Sequence, residues 1–138
     1  MKRRKAREYA LQILFQLDFN KRTDTDDEKT FEEFWSTKNE KSDIKEFTLN
    51  LVRGTITNLE TIDAMIETVT EHWLLKRMAA VDRSILRFAA YEILYRKDIP
   101  SAVTINEALE IAKKYSSLES ASFLNGVLDR LAKEAGKV

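Results

Sequence analysis

Cysteine is absent from all 138 residues, which excludes disulfides, thiolate metal ligands and cysteine nucleophiles and gives no sign of an oxidising compartment. Proline occurs once and glycine three times, a scarcity that suits long helices with few tight turns. The glycines stand apart at 54, 126 and 136, so neither a phosphate loop nor a dinucleotide fingerprint can be assembled from them. His72 is the only histidine. With no partners at ligand spacing it offers neither a metal site nor a catalytic triad, and a packing or surface role is expected. No apolar run approaches the roughly 18 residues that span a bilayer, and the basic opening MKRRKAR leads into an amphipathic stretch rather than a signal-peptide core. A soluble, unprocessed, cytoplasmic protein with no membrane association is therefore expected. Net charge is missing too: 23 Lys and Arg balance 23 Asp and Glu, so global charge carries no pull towards nucleic acid.

What is present is a helix-forming pattern and a local charge asymmetry. Hydrophobic residues make up 43% and charged residues 33%, and a chain of this length buries roughly 68–70% of its unfolded surface, enough for one real core. Ala6, Tyr9, Ala10, Ile13, Leu14 and Leu17 follow the i, i+3, i+4, i+7 template and predict a first helix over about 4–20. Phe31, Phe34 and Trp35 predict a short second helix, with Ser42 as N-cap of a third. A phase change near 54–58 divides the next apolar stripe into two helices or one bent helix, ending with Trp73. Residues 79–96 carry an apolar arc too wide for a surface helix and are the expected central helix. Thr104 and Glu107 read as a capping box opening a helix over 105–115, and a polar break at 116–120 precedes a last helix stopped by Gly136. No strand and no internal repeat is expected.

Lys2, Arg3, Arg4, Lys5 and Arg7 crowd the start, while Asp24, Asp26, Asp27 and Glu28 form an acidic stretch. Arg3 and Arg7 lie four apart, on one helical face that can meet a phosphate backbone; a solvated tail is the competing reading. A second candidate surface gathers Lys113, Lys114, Tyr115, Ser120, Ser122 and Phe123 at a helix junction, where single-stranded bases could stack. Core packing of Phe123 and a half-buried Tyr115 explain the same pattern. Phe15 and Phe19 fall off the main stripe of the first helix, and Trp35 follows the acidic stretch; they fill the interior or mark a protein-binding patch. Carboxylates are abundant but sit near bases, Asp82 beside Arg83 and Glu107 near Lys113 and Lys114, which leaves hydrolytic metal chemistry without support.

Residues 81–132, VDRSILRFAAYEILYRKDIPSAVTINEALEIAKKYSSLESASFLNGVLDRLA, closely resemble the signature block of the NusB family, with VDR-x-ILR, YE, INEA-x-E-x-AK and F-x-NGVLD in one order. The N-terminal basic residues followed by REYALQILF are similar to that family's arginine-rich helix, and the middle third matches in helical pattern and in W-x-x-x-R. The resemblance implies an all-α bundle of about seven helices in one RNA-binding domain, with packed helical subdomains at about 1–75 and 76–138. It further implies a non-catalytic transcription antitermination factor, without cofactor or metal, that binds boxA-type single-stranded RNA and pairs with the ribosomal protein NusE. The pair would join RNA polymerase and support ribosomal RNA synthesis; a protein scaffold or homodimer with weak RNA binding is the alternative. Carried over by position, the RNA surface would comprise Lys2, Arg3, Arg4, Lys5, Arg7, Tyr115, Glu119, Ser122, Phe123 and Asn125, and the NusE surface Phe15 and Asp82. A similar domain also precedes RNA methyltransferase domains, but no glycine-rich cofactor site accompanies it here. The family usually has Gly after the aromatic of the AKKY segment, where this chain has Ser116 and Ser117, so the loop that aims Tyr115 is a point of departure.

Overall fold

A computed structural model describes residues 2–19, 28–71 and 75–136. Among them every regular element is helical: α1 (Arg3–Phe19), α2 (Glu28–Trp35), α3 (Ser42–Thr57), α4 (Leu59–Val69), a 3-10 turn (Leu75–Arg77), α5 (Ala80–Tyr95), α6 (Ser101–Tyr115) and α7 (Leu118–Glu134). The expected all-helical architecture of about seven helices is what is observed. The readings placed on Asn20, Asp24, Asp26 and Asp27, on the Phe19 and Glu28 side chains, and on His72 and Trp73 lie outside the described residues.

The core is organised around α5. Ile85, Leu86, Phe88, Ala89 and Ala90 are fully buried, because α5 packs against α1, α3, α4, α6 and α7 and has almost no solvent side. Burying such side chains contributes roughly 1.5–3 kcal/mol each for the larger ones, so the wide apolar arc is what places this helix at the centre. α1 runs antiparallel to α5: Arg7 near its start meets Glu92, and Asp18 near its end meets Arg83. Both arginines make two bonds to their carboxylates, which fixes the register of the two helices.

Three local expectations change and one open alternative is resolved. Ser42 is the first helical residue of α3 rather than its cap, and Lys41 occupies the cap position without a side-chain bond. The 54–58 phase change is a break between α3 and α4 at Asn58, whose amide donates to the Gly54 carbonyl at 2.8 Å. α6 begins at Ser101, after Pro100, not at 105. Proline pre-sets a helix-entry φ and has no N–H to leave unpaired, so the helix starts one turn earlier and Thr104 and Glu107 fall inside it, free of any capping role. Finally, the polar break shrinks to Ser116 and Ser117, and Ser117 caps α7 by accepting from the Ser120 amide at 3.0 Å. Gly136 does follow the C-terminal end of α7, with φ of 67°, as the helix stop requires.

At Gly54, α3 packs close against the Tyr91 side chain of α5. A Cβ there would stand 2.2 Å from Cζ of the buried Tyr91 ring. Gly54→Ala should therefore lower stability by about 1–3 kcal/mol despite alanine's better helix propensity. An unchanged denaturant midpoint would show that the Tyr91 ring moves aside at no cost.

Candidate nucleic-acid interface

The five N-terminal cations are not equally available, because successive residues of a helix point about 100° apart. Arg3 and Arg7 share the face turned to α3, where their guanidinium carbons lie 4.7 and 5.4 Å from the Phe47 ring centroid. Arg7 is only 2% exposed and is sealed by Glu92, itself fully buried, through bonds of 2.7 and 2.8 Å. Glu92 also accepts from the Thr104 hydroxyl at 2.8 Å. The expectation that Arg7 contacts phosphate is corrected: its charge is spent on a buried pair that locks α1 to α5 and α6.

Arg4 faces α6, where its Nε lies 3.2 and 3.1 Å from the two oxygens of Glu107 and its Nη2 also donates to that carboxylate. Lys5 faces the segment before α3 and pairs with Glu40 at 2.9 Å; Tyr9 donates to the same carboxylate. These bonds hold the Glu40 carboxyl below its usual range and raise the Lys5 ammonium. Lys2, Arg3, Arg4 and Lys5 line one open recess of about 510 Å³ together with Glu8, Glu107 and Lys114. The solvated-tail reading is corrected for residues 3–7, which belong to α1.

Glu8 joins this cationic recess to the second candidate surface. Its Oε1 accepts from Lys114 Nζ at 2.8 Å and from the Tyr115 hydroxyl at 2.6 Å. Burial pushes the Glu8 carboxyl up, but the bonds from Lys114 and Tyr115 outweigh it and leave the group lowered, so the charged form is the one that holds Tyr115. Burial and the bond to Glu8 together raise the Tyr115 phenol. Where the family glycine is replaced, Ser117 has the extended backbone that any residue adopts, φ −151° and ψ 166°, while Ser116 stands at φ −131° and ψ −108°.

From Tyr115 the line continues onto α7. Ser120 donates to Asp82 Oδ2 at 2.8 Å, while Asp82 Oδ1 is buried without a hydrogen-bond partner among the described residues. Asp82 shares a recess of about 280 Å³ with Arg77, Met78, Ser117, Glu119, Ser120 and Phe123. Phe123 is 41% exposed, against the reading of it as core, and it also walls a recess of about 360 Å³ with Val69, Thr70, Ser122, Gly126, Val127 and Arg130. Asn125 is exposed but lines neither recess. Phe15 is exposed on α1, whereas Trp35 is half-buried against the core, edge-on to Tyr9 and Phe34.

Two carboxylate pairings are also corrected. Arg83 binds Asp18 rather than Asp82, and Glu107 binds Arg4 and approaches Arg7 rather than Lys113 or Lys114. Sequence reasoning missed Glu8 and Glu40 as parts of the surface. Glu8 stands four residues after Arg4 and shares its helical face, a spacing that could have revealed it; Glu40 lies outside any periodic segment and gave no such signal.

Residues 4–133 match the sequence model of the NusB family. The chain is 52% identical to the transcription antitermination protein NusB of Thermodesulfovibrio yellowstonii, over 97% of this chain and 93% of that protein. It is 48% identical to the protein of the same name from Desulfitobacterium hafniense, over 99% and 92%. Among solved structures it superposes on T. maritima NusB with a TM-score of 0.83 at 42% identity, covering 97% of this chain and 92% of that one. It also superposes on a chain from a crystal structure of antitermination factors NusB and NusE in complex with dsRNA, with a TM-score of 0.83 at 26% identity and coverage of 97% and 99%.

Proposed function

The chain belongs to the NusB family, and from that premise we propose that it binds boxA-type single-stranded RNA together with NusE, gripping the RNA at two places on one side of the molecule. It is a transcription antitermination factor and acts without catalysis. The observation that carries the reading is Glu8, whose single oxygen bonds Lys114 and Tyr115 and so ties the cationic recess to the stacking surface across α1 and α6. Lys2, Arg3, Arg4 and Lys5 supply phosphate contacts; Tyr115 and Phe123 supply base stacking, with Glu119, Ser122 and Asn125 offering polar contacts. Phe15 and Asp82 serve the NusE face, and the complex then joins RNA polymerase in the cytoplasm. The recess that Asp82 shares with Glu119 and Phe123 supports joint binding, since a protein on Asp82 would neighbour RNA on Phe123. Residues 1–75 and 76–138 act as two subdomains of this single domain. A homodimer through exposed Phe15 or Leu118 is the competing use of those apolar side chains, and light scattering with and without NusE separates the two.

Titrating the protein with a boxA-type RNA and with a random RNA of equal length tests the reading. With Arg7 withdrawn, four N-terminal contacts to a single strand predict a slope of log K against log salt of roughly −2.8. Arg3→Ala with Arg4→Ala should weaken binding and flatten that slope by roughly 1.4. NusE should tighten binding of the boxA-type RNA alone. No binding with or without NusE, or a double variant that binds as wild type does, would overturn the proposal.

A further inference from the structure

The cations of the recess are held by carboxylates that reach in from other elements. Glu107 belongs to α6 and Glu40 to the segment before α3, yet both close on α1. In each pair the carboxylate is the more fixed member: side-chain exposure is 17% for Glu107 against 49% for Arg4, and 9% for Glu40 against 54% for Lys5. Each carboxylate also has a buried partner. Glu107 approaches Arg7 at 3.7 Å, and Glu40 accepts from the Tyr9 hydroxyl. When Arg4 or Lys5 swings outwards, the carboxylate left behind keeps a partner, so release strands no buried charge. Exposed pairs of this kind contribute little to stability and open readily.

A carboxylate presents two oxygens to a guanidinium or ammonium much as a phosphate does. We propose that Glu40 and Glu107 are affinity-setting residues of the RNA surface: they occupy Lys5 and Arg4 as built-in phosphate mimics that an incoming RNA backbone must displace. This rests on the RNA reading given above and deepens it. A cationic recess holding its own anions binds any polyanion less well than its basic residues alone suggest, which leaves a larger share of the affinity to base contacts at Tyr115 and Phe123.

The test compares wild type with Glu40→Gln, Glu107→Gln and the double variant, titrated with the boxA-type and random RNAs; Glu8, which orients Tyr115, is left intact. Freeing each cation from its carboxylate should tighten binding of both RNAs by up to about fivefold at low salt, the upper end of what an exposed ion pair holds. The gain should fade towards 1 M salt, where the screening length is about 3 Å. Pairing Glu107→Gln with Arg4→Ala should abolish the gain, because the freed cation is gone. Glutamine keeps the shape of each site, and Glu40→Gln, which touches no buried ion pair, carries the test if Glu107→Gln proves unstable. Wild type that binds RNA while the variants bind equally or more weakly overturns the proposal. Failure of wild type and variants alike to bind overturns the RNA reading beneath it, whereas binding gained only in the variants supports the mimicry directly.

Discussion

Replacing Glu92 by alanine should lower the unfolding free energy by about 3–5 kcal/mol, a large fraction of the whole stability of a domain this size. The guanidinium of Arg7 is 2% exposed and its two bonds to Glu92 are its close ones, with Glu107 no nearer than 3.7 Å. Without that carboxylate a buried positive charge is left with Glu107 alone at 3.7 Å, and the Thr104 hydroxyl loses its acceptor as well. Replacing both members by apolar residues, Arg7→Met with Glu92→Leu, removes the charge together with its need for a partner and should recover most of the loss. Urea unfolding of the three proteins checks this, and a loss below 1 kcal/mol in Glu92→Ala would mean that water reaches Arg7. The RNA affinity of the double variant should match wild type. Arg7→Ala alone would lose binding only as far as it unfolds, so a scan of the basic residues without a stability measurement would wrongly count Arg7 among the phosphate contacts.

That distinction marks the limit of what charge clustering says in a sequence. Five cations in seven residues read as one basic face, yet helical rotation sends Arg3 and Arg7 to α3, Arg4 to α6 and Lys5 to the segment before α3. Only the partners decide which charges stay available, and those partners, Glu40, Glu92 and Glu107, lie 35 or more residues away, the shortest span being Lys5 to Glu40. Glu92 was legible in principle: a carboxylate inside the widest apolar arc of the chain demands a buried cation. Glu107 was legible but misread, because T-x-x-E is also what two inward-facing residues one turn apart look like when Pro100 has already started the helix. Helix existence was plain from periodicity throughout, and the central place of α5 followed from an arc no surface helix could use. Helix starts were less so, since caps turn on one or two bonds. The departure at Ser116 and Ser117 looked serious from family pattern alone; in the structure neither serine has a positive φ, and Ser117 serves as the cap of α7.

Phe123→Ala and Tyr115→Ala should each weaken binding of boxA-type RNA by about 1–3 kcal/mol, roughly 5-fold to 150-fold, if each ring stacks one base. Phe123 is 41% exposed and stands between two recesses, so its truncation should cost less stability than loss of a fully buried ring such as Phe88, and the unfolding midpoint is measured beside the affinity. Tyr115 needs a finer comparison, since its hydroxyl holds Glu8 as well as presenting a ring. Tyr115→Phe keeps the ring and should retain most of the affinity, whereas alanine should lose it. Salt separates these effects from those of the cations. Stacking is insensitive to screening, so the alanine losses should persist at high salt, while the loss from Arg4→Ala should shrink there. Alanine variants of both aromatics that bind as wild type does at low and high salt would remove the second grip, and RNA would then be held by the α1 recess alone, where Glu8, Glu40 and Glu107 already offset the charge of Lys114, Lys5 and Arg4.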